Sequence, residues 1–265
     1  MGVKNDKSMT NQHIPKNKTL AARLVIWLQT GIYWLAVYWL PFAMAVPAII
    51  FLLAVLAPAL LADGWAGPAQ TVYGWLAPHD HQLPQRSYFL FGQQGFIASY
   101  SREQVLAWGA DPGNMRAFVG NPAIGFKMGL NHRMTAIFAA SLLACLIWLA
   151  RGGKPRLGPL AFILLALPLL IDGFSHMFSE RSGAGFRAGN EWAAALTGGA
   201  FSAEFYSGTT IGTLNWWLRT ITGALFGLGL TWFLLTYLSL RFAAIRRQLE
   251  PRLRRWGVLR NQGSQ

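Results

Sequence analysis

Residues 24–62, LVIWLQTGIYWLAVYWLPFAMAVPAIIFLLAVLAPALLA, contain no Asp, Glu, Lys or Arg. As one helix the stretch would be about 58 Å long at roughly 1.5 Å per residue, nearly twice a hydrocarbon core of about 30 Å. Pro41, Pro47 and Pro58 interrupt it, and Trp27, Trp34 and Trp39 precede the first proline. Tryptophan gathers at the membrane–water boundary, and proline interrupts helical hydrogen bonding. The stretch therefore predicts an interfacial lead-in helix over 20–38 and a spanning helix over 40–62.

Three further uncharged or nearly uncharged runs predict spans over 133–150, 157–178 and 219–240. The expected fold is all-α: a polytopic transmembrane bundle of four spanning helices plus the N-terminal interfacial helix. A membrane domain over 24–240 would carry two connecting segments, 63–132 and 179–218, between basic tails at 1–23 and 241–265. Composition agrees, with 53% of residues hydrophobic and 12% charged, against about a quarter charged in ordinary soluble domains. The first apolar run is too long for a signal-peptide core, so the first helix is expected to remain.

Orientation follows from Lys and Arg. Spans two and three are joined by Arg151-Gly-Gly-Lys154-Pro-Arg156, a short basic turn expected in the cytoplasm. On that topology 15 of the 23 Lys and Arg fall on the cytoplasmic side. Both termini are then cytoplasmic in a multi-pass protein of the cell membrane, and the two long segments lie outside.

The net charge of +13 is concentrated beside the spans, which points to anionic lipid headgroups rather than nucleic acid. The tail after Arg241 alternates Arg with Leu and Trp256, as a surface helix drawn to anionic lipid would. Cys145 is the only cysteine, so no intrachain disulfide can form. No phosphate-binding loop, nucleophile elbow, haem-attachment or zinc-protease motif is present.

Chemistry concentrates at the outer ends of the helices. Asp172 lies inside span three, where an isolated carboxylate is costly and requires a partner. Arg133 and Arg219 open spans two and four at the same level, with Arg219 the first choice of partner. His176 follows Asp172 by one turn on the same face. With His81 and Arg86 these residues form an expected polar cluster, acting as a clamp between helices or as a site for a headgroup, ion, proton or small substrate. His79, Asp80 and His81, with His132, are candidate metal ligands of the N and O type, although their spacing matches no regular metal motif. Gly120, Asn121 and Pro122 read as a turn before span two, and Gly223, Gly227 and Gly229 as small residues allowing close helix approach.

Four ordered blocks carry a resemblance: Asp80-His-Gln-Leu-Pro-Gln-Arg-Ser-Tyr-Phe-Leu-Phe-Gly92, Asn131-His-Arg-Met-Thr-Ala-Ile-Phe138, Ile171-Asp-Gly-Phe-Ser-His176 and Arg219-Thr-Ile-Thr-Gly223. They resemble the family of prokaryotic integral membrane proteins known as domain of unknown function 2085, over roughly residues 55–240. The resemblance implies a membrane-helical fold and implies no activity, substrate or cofactor. His81, Pro84, Arg86, Ser87, Arg133, Asp172, Gly173, Arg219, Thr222 and Gly223 agree with the family pattern. Asp80, Asn131 and Met134 stand where it has cysteines, and His176 where it has Gln. The Gly-rich stretch 183–212 reads as an insertion. The leading expectation is a non-enzymatic accessory or assembly protein, working with protein partners or as a homo-oligomer. The other is a protein that binds a metal, a quinone-like molecule or a lipid headgroup through the polar cluster.

Overall fold

A computed structural model describes residues 19–93, 95–153, 156–183 and 185–259. The basic tail expected over 1–23 lies mostly outside these, as do Lys154 of the basic turn and residues 260–265. Among the described residues four helices are long and apolar enough to cross a membrane: α1 (Leu20–Ala62), α4 (His132–Ala150), α5 (Pro159–Arg181) and α9 (Leu214–Arg255). The predicted membrane-helical fold holds. Tertiary contacts divide the chain into two units, Ala43–Thr236 and the pair Met1–Phe42 with Tyr237–Gln265.

In the smaller unit the first part of α1 packs on the last part of α9. Tyr33, Leu249 and Leu253 form its buried core, and Trp39 lies 5.6 Å from Phe242. The residues expected as a surface tail from 241 therefore continue α9 as helix to Arg255 and bury Leu249 and Leu253. Within α1 the backbone departs from helical geometry at Tyr38, with φ −106° and ψ 20°.

The larger unit holds a structure that the apolar runs do not announce. After α1 comes α2 (Ala66–Leu76), whose buried residues Ala69, Val72, Tyr73 and Leu76 make one helical stripe. It packs on a four-stranded antiparallel sheet of order β2-β1-β4-β3, from β1 (Ser87–Gly92), β2 (Gly95–Ala98), β3 (Gly120–Asn121) and β4 (Gly125–Asn131). Between β2 and β3 lies α3 (Arg102–Ala107), begun by a capping box of Ser101 and Gln104. The turn read at Gly120-Asn121-Pro122 joins β3 to β4: Asn121 Oδ1 accepts from the backbone N–H of Ala123 at 2.9 Å. Gly125, at φ +87°, closes it where an added Cβ would lie 2.7 Å from the carbonyl oxygen of Leu90.

β4 passes into α4 without a linker. Asn131 ends the strand and caps the helix, its Oδ1 accepting from the N–H of Met134 at 2.9 Å. α9 lies close to α4 because Gly223 and Gly227 face it. A Cβ at Gly223 would be 2.7 Å from the carbonyl oxygen of Arg133, and one at Gly227 would collide with that of Ile137. Gly229 faces Leu165 of α5. Three one-turn or short helices fill the stretch after α5: α6 (Phe186–Gly189), α7 (Glu191–Leu196) and α8 (Ala203–Ser207).

Candidate anion-binding site

Asp172 is 5% exposed, three turns into α5, and a carboxylate there needs compensating charge. It has two arginines rather than one. Arg133, from the first turn of α4, donates Nη2 to Oδ2. Arg187 of α6 donates Nη2 to Oδ1 at 2.6 Å. Arg219, the partner first expected from sequence, makes no ion pair with Asp172.

Arg187 was invisible to the sequence reading because it belongs to the Gly-rich stretch. Left-handed residues Gly185 and Asn190 bracket α6 and fold it back onto α5. The Arg187 N–H donates to Ser179 Oγ at 2.9 Å, which aims the guanidinium along α5 toward Asp172. The same Nη2 lies 3.0 Å from His176 Nε2. Because guanidinium only donates, this nitrogen accepts, and the ring carries its proton on Nδ1.

Arg187, Ser179 and His176 of this cluster line a cavity of about 630 Å³, whereas Asp172 and Arg133 do not. Arg86, Arg187, Arg219 and His176 all contribute to its wall. Arg86 also pairs with Glu180 at 2.7 Å. Arg219 is 4% exposed, and its Nη1 is buried without a hydrogen-bond partner. The Nε atoms of Arg86 and Arg187 are likewise buried and unpartnered. Three pocket arginines thus each hold an N–H with no acceptor, a costly arrangement for a charged donor.

Of the residues expected to cluster, Arg86, His176 and Arg219 line the cavity, Arg133 and Asp172 join it through Arg187, and His81 does neither. His81 is exposed and lies outside the cavity wall. The candidate metal ligands are also dispersed. His79 is exposed, and His132 is fully buried against the ring of Tyr88, with centroids 4.4 Å apart. Asp80 turns inward, accepting from the N–H of Gln82 at 2.7 Å and from Asn131 N and Nδ2 at 2.7 and 3.0 Å. A carboxylate spent on these backbone and amide donors is not aimed at the imidazoles beside it. Among the described residues no three His, Cys, Asp or Glu are placed to share a metal ion.

Beyond the spans, a buried lysine is strongly perturbed. Lys127 of β4 is fully buried, its Nζ donating to the carbonyls of Gln82 at 2.9 Å and Arg116 at 2.6 Å. Burial, reinforced by Arg116 and opposed by Asp80, lowers its pKa to about 7. Tyr73, whose hydroxyl donates to the Lys127 carbonyl, is raised by burial.

Residues 123–233 match the family model described as predicted membrane protein (DUF2085). The resemblance read from the residues is thereby shown over this stretch. The DUF2085 match takes in the blocks at 131–138, 171–176 and 219–223 and the Gly-rich stretch containing Arg187; the block at 80–92 precedes it. Arg133, Asp172, His176, Arg187 and Arg219 all lie within the DUF2085 segment, which together with the four apolar helices makes this a multi-pass membrane protein. No curated protein and no solved structure matches the chain.

Proposed function

We propose that the protein binds an oxyanion, such as a phosphate group, in the cavity bounded by Arg86, Arg187 and Arg219. The observation that carries this reading is the buried, unpartnered Nη1 of Arg219 beside two further unpartnered guanidinium N–H groups. Asp172 is paired with two cations, Arg133 and the buried Arg187, and the buried Arg219 has no ion-pair partner among the described residues, so the buried part of the region holds an excess of positive charge. An oxyanion supplies both the missing acceptors and the missing charge, and guanidinium matches its geometry in a fork of N–H donors. Position at the end of four spanning helices makes a lipid headgroup one source of that oxyanion. On the charge bias of the basic segments, this end faces away from the cytoplasm.

A second reading, an accessory or assembly protein that does not perform catalysis, is favoured by the satisfied half of the same cluster. Asp172 ties α4, α5 and α6 together through Arg133 and Arg187, as a purely structural clamp would. Thermal unfolding of detergent-purified protein in increasing inorganic phosphate or sulfate separates the two. Oxyanion binding raises the wild-type Tm with concentration and leaves Arg219→Gln unresponsive. A wild-type Tm that ignores both anions removes the binding reading and leaves the clamp.

A further inference from the structure

The cavity is chemically divided. Its buried wall is cationic, from Arg187 at 6% and Arg219 at 4% exposure, whereas its exposed edge carries Glu103 of α3 and Glu204 of α8. Neither carboxylate forms an ion pair among the described residues. Glu180 is engaged by Arg86, and Arg102 stands beside Glu103 on the edge. Glu204, exposed on the cavity lining, has no ion-pair partner among the described residues. Ser207, Thr209, Thr210 and Asn215 add neutral polar groups to the lining. At about 630 Å³ the space exceeds what a lone tetrahedral oxyanion fills, and lies in the range of small-molecule sites.

We infer that the ligand is a zwitterion, with an oxyanion seated on Arg219 and Arg187 and an ammonium group held at Glu103 and Glu204. Its class is an aminoalkyl phosphate, either free or as the headgroup of an aminophospholipid. This inference rests on the oxyanion reading above and deepens it. An isolated anion would gain nothing from carboxylates at the mouth and would be repelled by them. A ligand bearing an amine gains attraction at both ends, and the two charges fix its orientation in the cavity.

The full-length protein in mild detergent is titrated calorimetrically with inorganic phosphate and with phosphoethanolamine. Wild type is compared with the double variant Glu103→Gln/Glu204→Gln, whose changes are on exposed side chains and leave the core intact. The expected result is that wild type prefers phosphoethanolamine by about tenfold, equivalent to about 1.4 kcal/mol, while the double variant binds the two alike and keeps its phosphate affinity. In a parallel arm, nanodiscs of phosphatidylethanolamine and of phosphatidylglycerol are compared by lipid retention in native mass spectrometry. Selective retention of the former by wild type and not by the double variant assigns a lipid source; preference for the soluble compound alone assigns a free one. Equal affinity of wild type for phosphate and phosphoethanolamine, without lipid selectivity, overturns the zwitterion and leaves the oxyanion reading standing. Failure of every probe to bind overturns both.

Discussion

Asp80 receives both the backbone N–H and the side-chain amide of Asn131, at 2.7 and 3.0 Å. Asn131 in turn caps α4 through the N–H of Met134. By the resemblance to the DUF2085 pattern, these three residues stand at cysteine positions. They are joined here by hydrogen bonds running from the loop after α2, through the end of β4, into a spanning helix. The polar pair holds that junction without thiols.

Replacing Asp80 by Ala removes three accepted hydrogen bonds, from Gln82 N and from Asn131 N and Nδ2, and leaves buried donors unmatched. A loss of about 3 kcal/mol is expected, with Asp80→Asn losing less. Chemical or thermal unfolding in detergent reads the difference, and equal stability of Asp80→Ala and wild type would contradict the assigned role.

Asp172→Asn leaves Arg133 and Arg187 facing a neutral group. Removing one partner of a buried ion pair costs about 3–5 kcal/mol, so a marked fall in Tm is expected. Arg187→Met alone is also destabilising, because it leaves Asp172 with one cation. The double variant is expected to be less destabilised than the sum of the two single changes, since the Asp172–Arg187 pair is then removed from both sides and only Arg133 faces a neutral group. Strict additivity would mean that Asp172 and Arg187 do not interact.

Arg219 presents the reverse case. With no ligand added, Arg219→Met removes a buried guanidinium that has no acceptor at Nη1, so the unliganded protein is expected to hold or gain stability, by about 1–3 kcal/mol. A loss similar to that of Asp172→Asn would instead make Arg219 part of the structural clamp.

Stability near neutral pH should carry the signature of Lys127. Its pKa falls from 10.5 in the unfolded chain to about 7 in the folded one. Between these values the unfolded state binds more protons, so stability rises with pH across that window, is complete above it and is absent below about 7. Tyr73 from α2, Asp80, and Arg116 are the titratable or charged groups set around it. Unfolding curves at intervals from pH 6 to 10, taken as wild type minus Lys127→Met, are expected to show this upward slope. A flat difference would mean that Lys127 stays charged where it is buried.

Gly227→Val drives a side chain into the carbonyl of Ile137, where the backbone has no room to yield. Overpacking of this kind costs about 1–3 kcal/mol or more, and separation of α4 from α9 should also lower oxyanion binding. Wild-type Tm in this variant would show that the two helices do not approach as described.

The parts legible in the sequence were those governed by bilayer dimensions and by single-residue chemistry. Uncharged runs announce helices because lipid requires the backbone to satisfy itself over a fixed thickness. Asp172, Arg133 and the glycines of α9 were visible because each residue type is anomalous where it stands. The sheet was not, because β4 is buried along nearly its whole length and therefore lacks the alternation that marks a half-exposed strand. Asp80 looked like a metal ligand beside two histidines, since sequence cannot show that its carboxylate turns away from them. Arg187 reaches Asp172 only through the left-handed turns at Gly185 and Asn190, a return path that no local period encodes.

The absence of a linker between β4 and α4 makes the sheet a phase-setter for a membrane helix. Ser87 pairs with Asn131 and Phe89 with Lys127 across β1 and β4, and the helix begins at the next residue. An α-helix turns about 100° per residue. A slip of one position in that strand pairing, carried into α4, would rotate Arg133 by more than a quarter turn and swing it away from Asp172. Strand register and charge pairing in this protein are thus two readings of a single angular setting.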